Sequence, residues 1–325
     1  MTKALMTRIL LATDFSDGAA CAQDYAVSLA SHWEATLEIL HVIEAPHRPS
    51  TETESFVAVM QARAEAARQL EQVRDDLARR DVSAKVRLVL GNPAEHISLA
   101  AKSQGAELVV LGVRGRTNVL YGLIGSTAER VVTEGPCPVL AVPGLHEEAG
   151  KPSAARGAPS IRHILAPLDF SSPSLDAVEY AIQLANGLGA TVTLMHVLEP
   201  VCYDLDCGLG VVEQEAGKRD HWNRQLAELQ TLVTSFGLAA DVEISGGIAS
   251  DAILASALRS RSDLIVMGTH GRRGVSAERF GSVAEAVLRR ATCPVLTVKT
   301  PKFAAGHRRI VPQAMSEADI KGVEP

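Results

Sequence analysis

The sequence predicts an α/β protein built from two tandem doubly wound domains, and three observations lead there. Short β-branched runs alternate with longer amphipathic stretches, and strands separated by helices require parallel crossovers. The pattern occurs twice: Arg8-Ile-Leu-Leu-Ala-Thr-Asp-Phe-Ser16 recurs as His163-Ile-Leu-Ala-Pro-Leu-Asp-Phe-Ser171, at an offset of 155. Finally, 325 residues suffice for two domains at about 150 residues each, every one large enough to bury its own core.

Taken in order, the first copy predicts strands at 8–13, 36–43, 84–90, 107–111 and 138–142, with helices at 17–32, 53–80, 94–104 and 126–134. The second strand carries Leu40-His-Val-Ile-Glu44, which returns as Met195-His-Val-Leu-Glu199. In the long second helix, charge alternates on the outer face from Ala62 to Arg80, the pattern of a solvated surface. Asn92-Pro93-x-Glu95 opens the third helix with an N-cap, a proline at the first helical position and a capping-box glutamate. The fourth strand, Leu108-Val-Val-Leu111, and its counterpart Leu264-Ile-Val-Met267 are apolar without alternation, as central strands covered on both faces should be. From here the offset is 156, so one residue has been inserted, and Pro136-Cys-Pro-Val-Leu140 returns as Thr292-Cys-Pro-Val-Leu296. A period this long means a duplicated domain, not a stacked array. The domains are drawn at 1–145 and 161–300, with a Gly-, Ala-, Pro- and Ser-rich linker at 146–160 and an irregular tail at 301–325.

Composition excludes several classes. Hydrophobic residues at 46% and charged residues at 22% rule out disorder over most of the chain. No window reaches the ~18 uninterrupted apolar residues of a membrane-spanning helix, and Met1 to Arg8 lacks an apolar signal core, so a cytoplasmic protein is expected. The five cysteines are scattered and form no CxxC, which argues against a disulfide scaffold and a zinc ribbon. A net charge of −6 with 4% aromatics does not suit a nucleic-acid surface.

The residues able to carry chemistry lie at strand ends. Gly112-Val-Arg-Gly115, nine residues, then Gly125-Ser126 is matched by Gly268-Thr-His-Gly271, nine residues, then Gly281-Ser282. Glycines let backbone approach a ligand closely, and a Gly-Ser that opens a helix offers unpaired N–H groups to an anion. A phosphate chain is the guest such a loop suits, although the pattern is neither a Walker loop nor a dinucleotide fingerprint. Ser126-x-x-Glu129 and Ser282-x-x-Glu285 also read as capping boxes that would serve the helix alone. Asp14 and Asp169, each just beyond strand one, read either as Asx-turn residues or as ligand contacts. If strands one and four are neighbours, aspartate and glycine loop face one crevice at the switch point where open α/β sheets bind ligands.

On these residues, both copies resemble universal stress protein domains, over Arg8 to Val142 and Arg162 to Val298. For the ATP-binding branch of that family, the resemblance implies an open five-stranded parallel sheet in the order 3-2-1-4-5, with helices on both faces. It implies adenine and ribose contacts from Asp14 and Val42 in one copy and from Asp169 and Val197 in the other. Phosphate and ribose contacts are implied for Gly112, Gly115, Gly125 and Ser126, and for Gly268, Gly271, Gly281 and Ser282, with Thr127 and Val283 as further backbone donors. The cofactor so implied is ATP, with or without Mg²⁺. The copies depart from one another: Pro167 and His270 stand in the second where the first has Ala12 and Arg114, and the second loop adds Arg272 and Arg273. Both sites are expected to be competent, with unequal affinity. The family habit of dimerising implies an intramolecular pseudo-dimer of the two halves, and a homodimer is compatible with it.

His41 and His196, inside strand two, read as hydrogen-bonded core residues, and Cys137 and Cys293 as small buried hydrophobes. Cys202, Asp204, Asp206 and Cys207 form a compact polar cluster that lacks the second pair a metal site needs. No hydrolase elbow or HExxH is present, so the chain is at most a weak ATPase. The leading reading is an adenine-nucleotide-binding stress-response protein whose ATP is mainly a regulatory ligand. The alternative is a nucleotide-free dimerising adaptor whose glycine loops are structural.

Overall fold

The structure, a computed structural model, describes residues 5–44, 52–115, 123–144, 159–199, 210–270, 281–299, 309–312 and 315. The chain divides into two compact units, Met1–Ser160 and Ile161–Pro325.

In unit one, β1 (Arg8–Ala12), α1 (Asp17–Trp33), β2 (Thr36–Ile43), α2 (Glu52–Ala78), β3 (Ala84–Leu90), α3 (Pro93–Gln104), β4 (Leu108–Gly112), α4 (Ser126–Glu134) and β5 (Val139–Val142) follow one another. All pairings are parallel, in the order β3-β2-β1-β4-β5. Unit two repeats the plan with β6 (His163–Pro167), α5 (Ser172–Leu188), β7 (Thr191–Leu198), α6 (Gly210–Ser235), β8 (Ala240–Gly246), α7 (Ala249–Arg259), β9 (Leu264–Gly268), α8 (Ser282–Arg290) and β10 (Val295–Val298). Its order is β8-β7-β6-β9-β10, again parallel. The 3-2-1-4-5 order is therefore found in each unit.

Burial explains the order. Ile9, Leu10, Leu11, Leu37, Ile39, Val109, Val110 and Leu140 are at most 1% exposed, so β1, β2, β4 and β5 make a wall apolar on both sides. Edge strand β3 instead alternates half-buried with exposed residues. Helix α3 has the N-cap and the opening proline that the sequence predicts: Asn92 Oδ1 accepts from Glu95 N, Pro93 is its first residue, and Gly105 ends it at φ +64. In α1 the left-handed C-cap is Glu34, where α5 has Gly189.

The result that matters for function is where the winding reverses. Beyond β1, Thr13 N still donates to Leu40 O, and beyond β4, Val113 N donates to Val142 O. The chain leaves the sheet at these two neighbouring points, and both departures open on the same crevice.

Candidate functional site

Asp14 follows the last pairing of β1, half-buried. Its Oδ1 accepts from Ser16 N at 3.0 Å and from Ser16 Oγ at 2.5 Å, and Ser16 Oγ in turn accepts from Ala19 N at 3.2 Å as the N-cap of α1. Asp169 makes the same turn, with Ser171 N at 3.0 Å and Ser171 Oγ at 2.6 Å, and Ser171 caps α5. Both aspartates are thus Asx-turn residues that aim a helix cap. To make this turn Phe15 and Phe170 take φ +59 and +62, a conformation costly for an aromatic residue.

A histidine from strand two braces each turn. His41 Nδ1 lies 2.7 Å from Thr13 O, and His196 Nδ1 lies 2.9 Å from Leu168 O, which makes that ring nitrogen the donor. The hydrogen-bonded core role expected of these histidines is what they have. The imidazoles also pack on the phenylalanines, at 4.5 Å for Phe15–His41 and 5.5 Å for Phe170–His196. Unit two adds Trp222, stacked on Phe170 at 4.8 Å, where the 156-residue offset places Ala66 in unit one.

The glycine loops lie opposite. Gly112 and Gly268 end β4 and β9 against the first turns of α1 and α5: a Cβ on Gly112 would stand 2.8 Å from Gly18 C, and one on Gly268 would stand 3.0 Å from Pro173 C. These glycines serve helix–strand packing. Gly18 itself needs to be small, since a Cβ there would stand 2.8 Å from Arg114 O. Gly115 comes closest to the aspartate, its added Cβ only 2.7 Å from Asp14 Oδ2. The structure therefore brings Asp14 and Gly115 together. Gly271, its counterpart, falls outside the described residues, as do Arg116, Arg272, Arg273 and the Cys202, Asp204, Asp206 and Cys207 cluster.

Each loop is closed by a backbone bond, Gly125 N to Val113 O at 2.8 Å and Gly281 N to Thr269 O at 2.9 Å. The capping boxes expected at Ser126 and Ser282 do not form. The N-caps are Gly125 and Gly281, the serines are the first helical residues, and neither helix has a side-chain cap. A glycine that must close the loop takes the cap position and pushes serine one place inward. The exposed Ser126 and Ser282 hydroxyls and the half-buried Thr127 and Val283 then line a first turn whose N–H groups have no intrahelical acceptor. Val42 and Val197 are half-buried near the ends of β2 and β7.

Sequence reasoning missed Ser16 and Ser171, the partners through which each aspartate acts, although the repeated Asp-Phe-Ser carried that signal. It had no signal for the left-handed phenylalanines. Cys137 is buried as expected; burial pushes the half-buried Cys293 thiol up to about 11. Among the described residues no three His, Cys, Asp or Glu side chains gather as a metal site, and no helix is long and apolar enough to cross a membrane.

Comparison with known proteins gives a consistent result. The model of the universal stress protein family matches residues 6–143 and again 160–299. Universal stress protein Rv2005c of Mycobacterium tuberculosis is 28% identical over 294 residues, covering 87% of this chain and 93% of the relative. Universal stress protein MJ0531 of Methanocaldococcus jannaschii is 31% identical over 147 residues, 43% of this chain and 84% of the relative. Among solved structures, a universal stress protein from Archaeoglobus fulgidus superposes with a TM-score of 0.68 at 22% identity, covering 93% of this chain and 99% of that one.

Proposed function

Because the chain belongs to the universal stress protein family, with two such domains in tandem and the stress-response role that membership implies, we propose that each unit binds an adenine nucleotide in its β1–β4 crevice. In unit two the crevice is that between β6 and β9. The observation that carries this reading is the pair of helices α4 and α8, each entered through a glycine N-cap with no side-chain cap, at the end of the loop that follows a central strand. A helix start left open to solvent presents N–H groups and a positive dipole end to phosphate oxygens. The base and ribose lie toward Asp14 and Val42, or Asp169 and Val197. The phosphates lie toward Gly115, Gly125, Ser126 and Thr127, or Gly271, Gly281, Ser282 and Val283.

In this arrangement the nucleotide is a regulatory ligand. A Mg²⁺ carried with ATP would have Asp14 or Asp169 as its protein carboxylate, which suits an ion that keeps most of its waters. One Asp14 oxygen is committed to Ser16, and Oδ2 points toward Gly115. Among the described residues no side chain is identified as a general base, and the reading is of at most a weak ATPase.

A second reading, the nucleotide-free adaptor, is favoured by one observation: Asp14, Gly112 and Gly125 all have sufficient structural duties without a ligand. The two readings separate when protein purified without added nucleotide is denatured and the released small molecules are identified by mass spectrometry. Calorimetry with ATP, ADP, AMP and GTP then follows on the stripped protein. Co-purified adenine nucleotide supports the proposal, and no release together with no heat overturns it in favour of the adaptor.

A further inference from the structure

About two turns along α5 from its Ser171 cap, a carboxylate is buried in an unusual way. Glu179 is 0% exposed, in a helix whose other buried positions are almost all apolar. A charge withdrawn from water needs strong compensation. Part of it comes from more than a hundred residues further along the chain. Ile310 N donates to the Glu179 carboxylate at 3.0 and 3.2 Å, and Val311 N donates to Oε2 at 2.7 Å. One turn back on the same helix face, Asp176 Oδ1 accepts from Arg309 Nη2 at 2.5 Å, both side chains being 26% exposed. Arg309 Nε also donates to Val311 O at 3.0 Å, which holds the segment in shape, and Val311 is 0% exposed.

These contacts have the grammar of peptide recognition: one carboxylate reads an arginine, a second reads two consecutive backbone N–H groups, and an apolar side chain is buried beside them. Unit one does not carry the same two carboxylates. At the 155-residue offset Asp176 becomes Cys21 and Glu179 becomes Asp24, whose carboxylate lies 3.6 Å from Arg80 of its own unit. A wholly buried glutamate stands at this place in one copy only, and it holds a segment of its own unit through two backbone N–H groups.

We propose that the Asp176–Glu179 face of α5 is a peptide-binding groove specific for a bent Arg-apolar-apolar segment, occupied in cis by Arg309–Val311. The bound segment is a built-in ligand, and the same groove accepts that sequence in trans once the tail is removed.

The test uses two measurements. Amide hydrogen exchange on the full chain should show Ile310 and Val311 protected at least a hundredfold relative to an unstructured peptide, and Glu179→Gln should cut that protection at least tenfold. Second, a chain ending at residue 308 should bind a synthetic peptide covering residues 306–315, detected by fluorescence anisotropy, and Asp176→Ala in that chain should weaken binding at least tenfold. The full-length protein should not bind the peptide. Ile310 and Val311 amides that exchange at the unstructured rate would overturn the proposal, whether or not the truncated chain folds. Equal peptide binding by full-length and truncated chains would overturn it too.

Discussion

Substitutions at Asp14 separate its two duties. Asp14→Ala removes the acceptor of two hydrogen bonds, from Ser16 N and Ser16 Oγ, and with them the anchor that aims Ser16 Oγ at Ala19 N. A half-buried charge-assisted bond is worth about 1.5–3 kcal/mol and a serine cap about 1 kcal/mol, and these are not additive because the cap survives in part. A loss of about 2–3 kcal/mol is expected. For a unit of this size that lowers its Tm by roughly 4–12 °C. Asp14→Asn keeps one oxygen for Ser16 and replaces the oxygen nearest Gly115 with an NH₂ donor, so stability should fall by less than about 1 kcal/mol. If that oxygen accepts from adenine or ribose, the donor left facing a donor costs about 1–3 kcal/mol of binding, roughly 5- to 150-fold in affinity. Calorimetric unfolding and ATP titration of wild type, Asp14→Asn and Asp14→Ala read both effects, with Asp169→Ala in the background so that one site remains. An Asp14→Asn protein that binds ATP like its parent would refute the ligand role. An Asp14→Ala protein that melts like its parent would refute the role in the turn.

Three further outcomes are expected. Gly281→Ala should destabilise its unit more than Gly125→Ala, by about 1 kcal/mol or more in thermal melts, because the new methyl stands 2.9 Å from Thr269 O but 3.2 Å from Val113 O; equal losses would show that the loops relax. Glu38, 9% exposed on β2, has its carboxyl raised above 4.5 by burial, opposed by the neighbouring Arg87 and Lys85. A raised folded value favours the protonated folded form, so the stability it contributes is complete at low pH and lost as pH rises through the folded value. Glu38→Gln should therefore raise Tm at pH 7.5, with the gain vanishing below about pH 4; a gain independent of pH would contradict this. Cys293, with its thiol near 11, should be alkylated by iodoacetamide at a rate that climbs about tenfold per pH unit between 7 and 10, followed by peptide mass spectrometry. A plateau near pH 8.5 would show an ordinary thiol.

Much of this molecule could be read from the sequence where one local rule governed one element. β2 at 36–43, β3 at 84–90 and α4 at 126–134 match the reading, and the Asn92 cap forms as its spacing implies. β4 begins and ends one residue later than expected, at Leu108 and Gly112, because Glu107 turns its backbone N–H to Arg8 O before the regular ladder starts. What stayed hidden depends on contacts between distant segments. Ser126 reads as a cap until the loop closes through Gly125, and Gly112 reads as a ligand contact until α1 packs on it. The left-handed Phe15 and Phe170 have no local signature, since their conformation is imposed by the turn around the aspartate and the brace from strand two. The Arg309–Val311 segment sits in a stretch without periodicity, and only the fold shows what it meets.

The close approach of Arg114 O to Gly18 bears on how the two copies have diverged. The position that must be glycine at the start of α1 is Pro173 at the start of α5, a residue with a ring where the first unit tolerates no Cβ. Loop and helix start have therefore drifted as matched parts. A chimera that sets the Arg114 turn of unit one against the α5 start of unit two would bring a carbonyl up to a proline ring. Recombination between the halves, free at the moment of duplication, is now penalised unless both segments travel together. The two crevices are thus no longer spare copies of one another, and each can be tuned by mutation without the other correcting it.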